Sequence, residues 1–236
     1  MGNFSAKIQN FINVFIHAGG YRNVAEGLKN TMMIAVIGLL IGIVIGTFIA
    51  SIRVLPKYKL IPRLLDRICA FYVALFRGTP MVVQLLVFYY VLLPILGMQM
   101  DGVRVSAIVF GLNSGAYISE IMRGGILSVD PGQLEGGRSV GLSYATTMFK
   151  IVIPQAIKNI LPTLGNEFIT LVKETSIVSF VGAMDLYKVF NDIGTNSYEF
   201  MVPYLVMAII YIIIVCIISL GIKIMERSLR KSDKGN

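Results

Sequence analysis

The sequence predicts an all-α, polytopic membrane protein with about five transmembrane helices. Of its 236 residues, 56% are hydrophobic and only 14% are charged, whereas a soluble domain carries about a quarter charged residues. Uncharged stretches longer than the ~20 residues that cross a bilayer as a helix occur at 31–52, 78–100 and 201–222. Lipid offers the backbone no hydrogen-bond partner and strand-like alternation is absent, so the spans are predicted to be helices.

The N-terminal segment, residues 1–23, is predicted to be an amphipathic helix in the membrane interface. Its apolar side chains share one helical face, and Gly19-Gly20 ends the run: Phe4, Ile8, Phe11, Ile12, Phe15 and Ile16. The first span follows at about 24–53. Glycines recur every four residues along it at positions 38, 42 and 46, a spacing that lets helices approach closely, so we interpret them as packing residues.

The second apolar region covers about 61–98 and is interrupted by Arg77-Gly-Thr-Pro80. Pro80 lacks an N–H group and cannot continue helical bonding to Phe76, so a kink or a break is expected there. Two arrangements stay open. Either 78–100 is the whole span and 61–76 is an interfacial helix, or the region is one long bent helix.

Three further spans complete the predicted transmembrane domain, residues 24–226. They lie at about 104–127, 160–184 and 201–226, and 160–184 is more polar than the others. The remaining residues, 227–236, are expected to form a cytosolic tail.

Basic residues that contribute to the formal net charge of +8 cluster beside the predicted spans. Basic residues crowd the segment after the first span (Arg53, Lys57, Lys59, Arg63, Arg67) and the C-terminus (Lys223, Arg227, Arg230, Lys231, Lys234). Lys and Arg accumulate on the cytoplasmic side of membrane proteins, so the C-terminus, the 53–77 segment and the 123–158 loop are expected in the cytosol. An odd number of spans then leaves the N-terminus outside. This distribution argues against a nucleic-acid surface.

Helix punctuation marks a cytosolic loop at about 128–158. Asp130 is predicted to cap a helix that begins at Pro131, with Gln133 at the capping-box position. Gly141 is placed to end that helix in a left-handed conformation, and Ser143 can cap the next one. The loop therefore predicts a helix, a glycine corner and a second helix that ends near Pro154, which together form a protruding knob.

Polar side chains inside predicted spans are the candidate substrate site, because intramembrane charge is costly and usually functional. Candidates in the 160–184 span are Thr163, Asn166, Glu167 and Thr170, and those in the 104–127 span are Asn113 and Tyr117. Hydrogen bonding between helices is the structural alternative. Glu167 has no cation three or four residues away in its own helix, so it needs a cationic partner from another helix, a cationic ligand or a proton.

The sequence gives no support to an enzyme. It contains no phosphate-binding Gly-x4-Gly-Lys-Ser/Thr loop, and its only histidine, His17, lies outside the core spans. No metal-ligand spacing is present, and Cys69 and Cys216 are expected to be free. We therefore expect no catalytic residue, no metal and no cofactor in this chain.

The loop carries the most specific motif. Residues 135–154 read Glu-Gly-Gly-Arg-Ser-Val-Gly, nine further residues, then Ile-Val-Ile-Pro. This pattern resembles the loop signature of permease subunits in ATP-driven (ABC) importers. Gly136 and Gly137 stand where Ala is usual, and Ile153 stands where Leu is usual. The resemblance implies that the loop docks into a separate ATPase through Glu135, Gly136, Gly137, Gly141, Leu142 and Pro154.

Four other segments resemble the polar amino-acid uptake branch of these permeases: 76–80, 113–120, 123–126 and 173–176. The resemblance implies a type I importer permease fold in the bacterial cytoplasmic (inner) membrane, with N-terminus outside and C-terminus cytosolic. It also implies a second permease subunit, identical or different, two ABC ATPase subunits that hold ATP and Mg²⁺, and an extracytoplasmic amino-acid-binding protein.

The predicted function is the substrate pathway of an amino-acid importer, and Glu167 favours basic amino acids such as arginine, lysine or histidine. The same complex could instead handle glutamine, glutamate or other polar amino acids. A stand-alone ion-coupled carrier or channel is the alternative from a different class. It would need no cytosolic knob and would transport without nucleotide.

Overall fold

The described part of the chain, residues 4–17, 19–55 and 58–231 of the computed structural model, is helical and contains no strand. The helices in chain order are α1 Phe4–Ile12, α2 Gly20–Val54, α3 Leu60–Gly78, α4 Met81–Val87, α5 Leu93–Ile95, α6 Gly102–Leu127, α7 Pro131–Ser139, α8 Tyr144–Thr147, α9 Ile153–Glu174, α10 Leu186–Ser197 and α11 Met201–Lys231. Wider π-helical turns follow α1, α4 and α8 at Asn13–His17, Phe88–Leu92 and Met148–Val152, and a 3₁₀ segment, Thr175–Val181, follows α9.

Three described helices are long and apolar enough to cross a membrane: Gly20–Val54, Gly102–Leu127 and Met201–Leu229. The pair Leu60–Gly78 and Met81–Ile95 adds a fourth if it is counted as one broken span. Helix α9, the core of the remaining predicted span, is not among them. Its polar side chains lower its mean hydropathy, and its place in the bilayer stays a prediction.

The chain divides into two compact units, each assembled from separate stretches. The first unit comprises residues 1–38, 80–110 and 170–217, and the second comprises 39–79, 111–169 and 218–236. This division differs in kind from the predicted segments 1–23, 24–226 and 227–236, because it cuts within the long helices.

In the first unit, the N-terminal helix packs on α10. Lys7 Nζ lies 2.8 Å from a carboxylate oxygen of Glu199, and Phe11 and Phe15 pack against a core that includes Leu186 and Phe190. The helical run ends before Gly19, whose φ of +75° places it in the left-handed region, as the Gly-Gly pair predicts.

In the second unit, α2 and α6 approach closely at glycines. A Cβ built on Gly46 would lie 2.7 Å from Cγ2 of Ile118, and one built on Gly115 would lie 2.8 Å from Cγ2 of Ile45. Each helix thus offers a glycine to a branched side chain of the other, and both faces interlock. The packing role predicted for this glycine stripe is confirmed at Gly42 and Gly46, which both face α6.

Several predicted boundaries differ from the structure. The break at Pro80 is confirmed, since Thr79 and Pro80 are extended between α3 and α4. The helix after the glycine corner was predicted to end near Pro154, which is wrong: the chain stays helical through the π-turn into α9. The predicted 160–184 span is regular α-helix only to Glu174, and α11 continues beyond residue 226 to Lys231.

The π-turn before Pro154 explains why the helix does not end there. The Ile153 N–H donates to the Met148 carbonyl five residues back, so the backbone is wider just before Pro154. A proline clashes with the carbonyl four residues back in a regular α-helix, and a wider turn relieves that clash. The helix therefore accommodates the proline at its second position.

Candidate functional site

The predicted knob is built by local capping. Asp130 accepts a hydrogen bond from the Gly132 N–H (2.8 Å), and Ser143 accepts one from the Thr146 N–H (3.1 Å). Both caps and the start of α7 at Pro131 confirm the prediction. Gln133 differs, because its side chain accepts a hydrogen bond from Gln155 (3.3 Å) rather than completing a capping box.

The corner between α7 and α8 is a Schellman motif centred on Gly141. Its φ is +85°, which a residue with a Cβ adopts only at a cost. The Gly141 N–H donates to the Arg138 carbonyl and the Leu142 N–H to the Gly137 carbonyl, each over 3.1 Å. This is the bonding pattern by which a left-handed residue closes a helix, so the predicted conformation of Gly141 is confirmed.

An apolar cluster anchors the knob and leaves an exposed apolar rim. Met148, Val152 and Ala156 are buried together with Val129 and Ile160. Glu135, Gly136, Gly141 and Pro154 are exposed, Leu142 is half-buried and Gly137 is buried. Val140 and Phe149 are 77% and 70% exposed. The motif comparison does not identify these two side chains as contact residues, although apolar residues in a polar loop are a usable signal.

The polar residues of α6 and α3 meet where Pro80 interrupts the second apolar region. In a continuous helix the Phe76 carbonyl would accept from residue 80, but proline has no N–H. Asn113 Nδ2 donates to this carbonyl instead, over 3.2 Å, and Thr79 Oγ1 donates to the Leu75 carbonyl over 2.8 Å. Asn113 therefore has a structural role in this conformation, which the sequence leaves open beside substrate binding.

The side chains of Tyr117 and Thr163 each contact another group of the protein. The guanidinium carbon of Arg77 lies 5.2 Å from the centre of the Tyr117 ring, which is a cation–π contact. Thr163 Oγ1 donates to the Asn159 carbonyl of its own helix (3.2 Å). Asn166 is exposed, and Thr170 belongs to the first unit. The second unit thus brings together part of the predicted set, around α6 and α9.

Glu167 contacts α6 directly. The Ser114 hydroxyl donates a hydrogen bond to Glu167 Oε1 over 3.0 Å. Ser114 is completely buried, and Glu167 is half-buried on the α9 face that also carries Thr163 and Asn166. A neutral donor from α6 therefore contacts the carboxylate, beside polar side chains that are exposed.

A second polar cluster joins α2, α3 and α6. The Glu120 carboxylate forms ion pairs with Arg53 and with Arg123, the latter over 2.8 Å. Arg53 Nε also lies 3.8 Å from Asp66 Oδ1. The side chains of Arg53, Asp66 and Glu120 are each only 18–20% exposed. Sequence reasoning assigned Arg53 to the cytosolic charge pattern and missed this cluster, because its partners are distant in sequence.

Asp185 is the buried acid of the first unit. It is fully buried and caps α10 by accepting from the Tyr187 and Lys188 N–H groups over 3.0 and 2.9 Å. Burial raises the pKa of its carboxyl from 3.8 to about 6, although these hydrogen bonds and the Lys188 charge act in the opposite direction. No group of three or more His, Cys, Asp or Glu side chains within the described ranges could hold a metal ion.

These features agree with comparisons to known proteins. A family model described as "binding-protein-dependent transport system inner membrane component" matches residues 38–231. The chain belongs to this family of permeases. The permease is 36% identical over 210 residues to the arginine transport system permease protein ArtQ of Bacillus subtilis (strain 168), covering 89% of this chain and 94% of ArtQ.

Two further similarities place the permease more narrowly. A Rickettsia bellii (strain RML369-C) protein named as a glutamine transport system permease, GlnP, is 38% identical over 206 residues, which cover 87% of this chain and 92% of GlnP. A crystal structure of an amino acid ABC transporter with histidines superposes with a TM-score of 0.82 at 36% identity, covering 90% of this chain and 96% of that one.

The permease is therefore a multi-pass inner-membrane subunit of a polar amino-acid ABC importer with an all-α fold. It is not an enzyme, and ATP hydrolysis belongs to a separate partner ATPase.

Proposed function

We propose that the permease forms the membrane pathway for basic amino acids, with Glu167 as the group that recognises the substrate's positive charge. The observation that carries this proposal is the Glu167 carboxylate, oriented by Ser114 on a polar face of α9. A fixed negative charge favours a guanidinium, ammonium or imidazolium group. Similarity to a permease named for arginine transport supports the same substrate class.

The neighbouring polar groups would complete the site. Thr163 and Asn166 lie on the same face of α9 as Glu167, and Asn113 and Tyr117 lie on α6. Hydroxyl and amide groups of this kind bind the α-amino and α-carboxylate groups of any amino acid. In this arrangement Glu167 supplies the preference for a cation, and the other four residues supply affinity that all amino acids share.

Charge removal at Glu167 tests the proposal. Glu167→Gln keeps the shape of the side chain, and arginine uptake into proteoliposomes that hold the whole importer should fall about tenfold or more. Glu174→Gln is the matched control, since Glu174 is another half-buried carboxylate of α9, and it should change uptake far less. Unchanged arginine uptake by Glu167→Gln would reject the assignment. If the wild-type importer takes up glutamine, the glutamine class is favoured instead, for which a relative is named.

The assembly around the permease follows from the knob and its exposed rim. The corner at Gly141, with Glu135, Gly136, Gly137, Leu142 and Pro154, is proposed to dock on the ATPase, and Val140 and Phe149 supply apolar contact area. ATP and Mg²⁺ are held by that ATPase. A second permease subunit, identical or different, and an extracytoplasmic amino-acid-binding protein complete the importer. Purification of the permease with its ATPase, without crosslinking, tests the docking.

The proposed orientation places the N-terminus outside and the C-terminus in the cytosol. Lys59 and Asn196 are both exposed, so single cysteines at these positions can report the two sides once Cys69 and Cys216 are replaced by alanine. The cysteine at Lys59 should react only from the cytosol, and the one at Asn196 only from outside. Labelling of position 196 from the cytosolic side would contradict the arrangement.

A further inference from the structure

We infer that Ser114 is a positioning residue for the Glu167 carboxylate and that Gly42 holds Ser114 in place; this inference rests on the proposed function of Glu167. The three residues lie on α6, α9 and α2, all within the second unit. Nothing in the motif comparison assigns a role to Ser114 or to Gly42 at the substrate.

The direction of the Ser114 hydroxyl is the first observation. Serine in a helix commonly donates to a carbonyl of the preceding turn, and Ser106 and Ser119 of α6 do so, to the carbonyls of Gly102 and Ala116. Ser114 donates across to Glu167 Oε1 instead. The single hydroxyl hydrogen of this buried serine is thus donated to the carboxylate of another helix.

The close approach of α2 is the second observation. A Cβ built on Gly42 would lie 2.9 Å from both Cβ and Oγ of Ser114, distances that real Cβ contacts do not reach. The α2 backbone therefore closes one side of the serine. A side chain at position 42 would displace the hydroxyl and, through it, the carboxylate.

The donor to Glu167 is a neutral hydroxyl and not a charged group, which matters for the binding of a cationic substrate. An arginine or lysine in the place of Ser114 would orient Glu167 but would also neutralise it. A hydroxyl orients the carboxylate and adds no positive charge of its own. The pair Ser114–Glu167 therefore fixes where the cationic end of the substrate lies, which makes Ser114 a determinant of selectivity for cationic over neutral amino acids.

Equilibrium binding of radiolabelled arginine to the purified permease–ATPase complex, without binding protein, tests the inference. Ser114→Ala should raise the Kd for arginine about tenfold, the effect of one lost hydrogen bond to a charged group. Ser119→Ala is the matched control, because Ser119 is an equally buried serine of α6 that bonds its own helix, and it should leave the Kd unchanged. Gly42→Ala should raise the Kd in the same direction as Ser114→Ala.

The double variant separates positioning from a general structural effect. In the Glu167→Gln background, Ser114→Ala should add little further loss, since the carboxylate that Ser114 orients is gone. Equal losses in both backgrounds would overturn the inference and leave the role of Glu167 intact, as would an unchanged Kd for Ser114→Ala beside a large effect of Glu167→Gln. An unchanged Kd for Glu167→Gln, or no arginine binding by the wild-type complex, would reject the proposed function itself and the inference with it.

Discussion

Gly137 of α7 lies so close to Thr147 of α8 that a Cβ on the glycine would come within 3.0 Å of the threonine Oγ1 and closer still to its methyl group. Gly136, one residue earlier, has nothing within 4 Å of the same hypothetical atom. The two glycines replace the two alanines usual in the loop signature, yet their surroundings differ completely. The second glycine is required by the threonine, and the first is not.

Alanine substitution should therefore have opposite effects at the two positions. Gly136→Ala should stabilise the permease by about 0.5–1 kcal/mol, because alanine loses less backbone entropy in a helix. Gly137→Ala should destabilise it by about 1–3 kcal/mol through overpacking. Thermal unfolding of the purified permease measures both. Thr147→Ser, which removes the methyl group, should rescue Gly137→Ala, and failure of that rescue would show that the clash lies elsewhere.

Substitution of Gly141 tests coupling rather than packing. Nothing lies within 4 Å of a Cβ built there, so the cost of a side chain comes from the positive φ alone. Gly141→Val should leave the protein in the membrane but abolish substrate stimulation of the partner ATPase. Gly141→Asn should retain most of it, because asparagine tolerates the left-handed region. Wild-type uptake and stimulation by Gly141→Val would show that the corner does not couple the two subunits.

Removal of the charge at Glu120 should be costly, because two arginines depend on it. Glu120→Gln leaves Arg53 and Arg123 without their shared carboxylate, and we expect a loss of about 1–3 kcal/mol in a site that is partly screened by solvent. The surface pair Asp101–Arg104, with side chains 53% and 78% exposed, is the control, and Asp101→Asn should cost less than about 0.5 kcal/mol. Equal shifts in the two unfolding temperatures would contradict a special role of Glu120.

Asp185 should make stability depend on pH. Folding raises the pKa of this acid from 3.8 to about 6, so the folded chain keeps a proton at pH values where the unfolded chain has lost it. Its contribution to stability is therefore fully present below pH 3.8 and is lost as the pH rises through about 6. Asp185→Asn should flatten the fall in unfolding temperature across this window. Asp130→Asn, which alters the exposed cap of α7, should not, and parallel profiles for Asp185→Asn and wild type would refute the assignment.

Local features of the fold could be predicted from the sequence because their causes are local. Asp130, Ser143 and Gly141 act on backbone groups within a few residues, so their spacing is sufficient to place the caps and the corner. The glycine stripe of α2 is equally readable, since the spacing that makes a smooth helix face is a property of one segment.

Contacts between segments could not be predicted in the same way. The pairing of Arg53 with Glu120 joins residues 67 positions apart, and each has closer residues of opposite charge in the sequence. The helix that continues through Pro154 was missed because the widened turn before it leaves no mark in composition. The Ser114–Glu167 contact depends on how α6 and α9 pack, and a single sequence does not contain that distance.

The hydrogen bond from Asn113 to the Phe76 carbonyl has an evolutionary consequence. It compensates for the N–H that Pro80 lacks, so this contribution of the asparagine depends on the proline being present. Positions 80 and 113 should covary: relatives with a residue other than proline at 80 recover the main-chain bond and no longer need an asparagine at 113 for this carbonyl. An alignment of relatives in which position 113 drifts among apolar residues while the proline is retained would show that the carbonyl has found another donor.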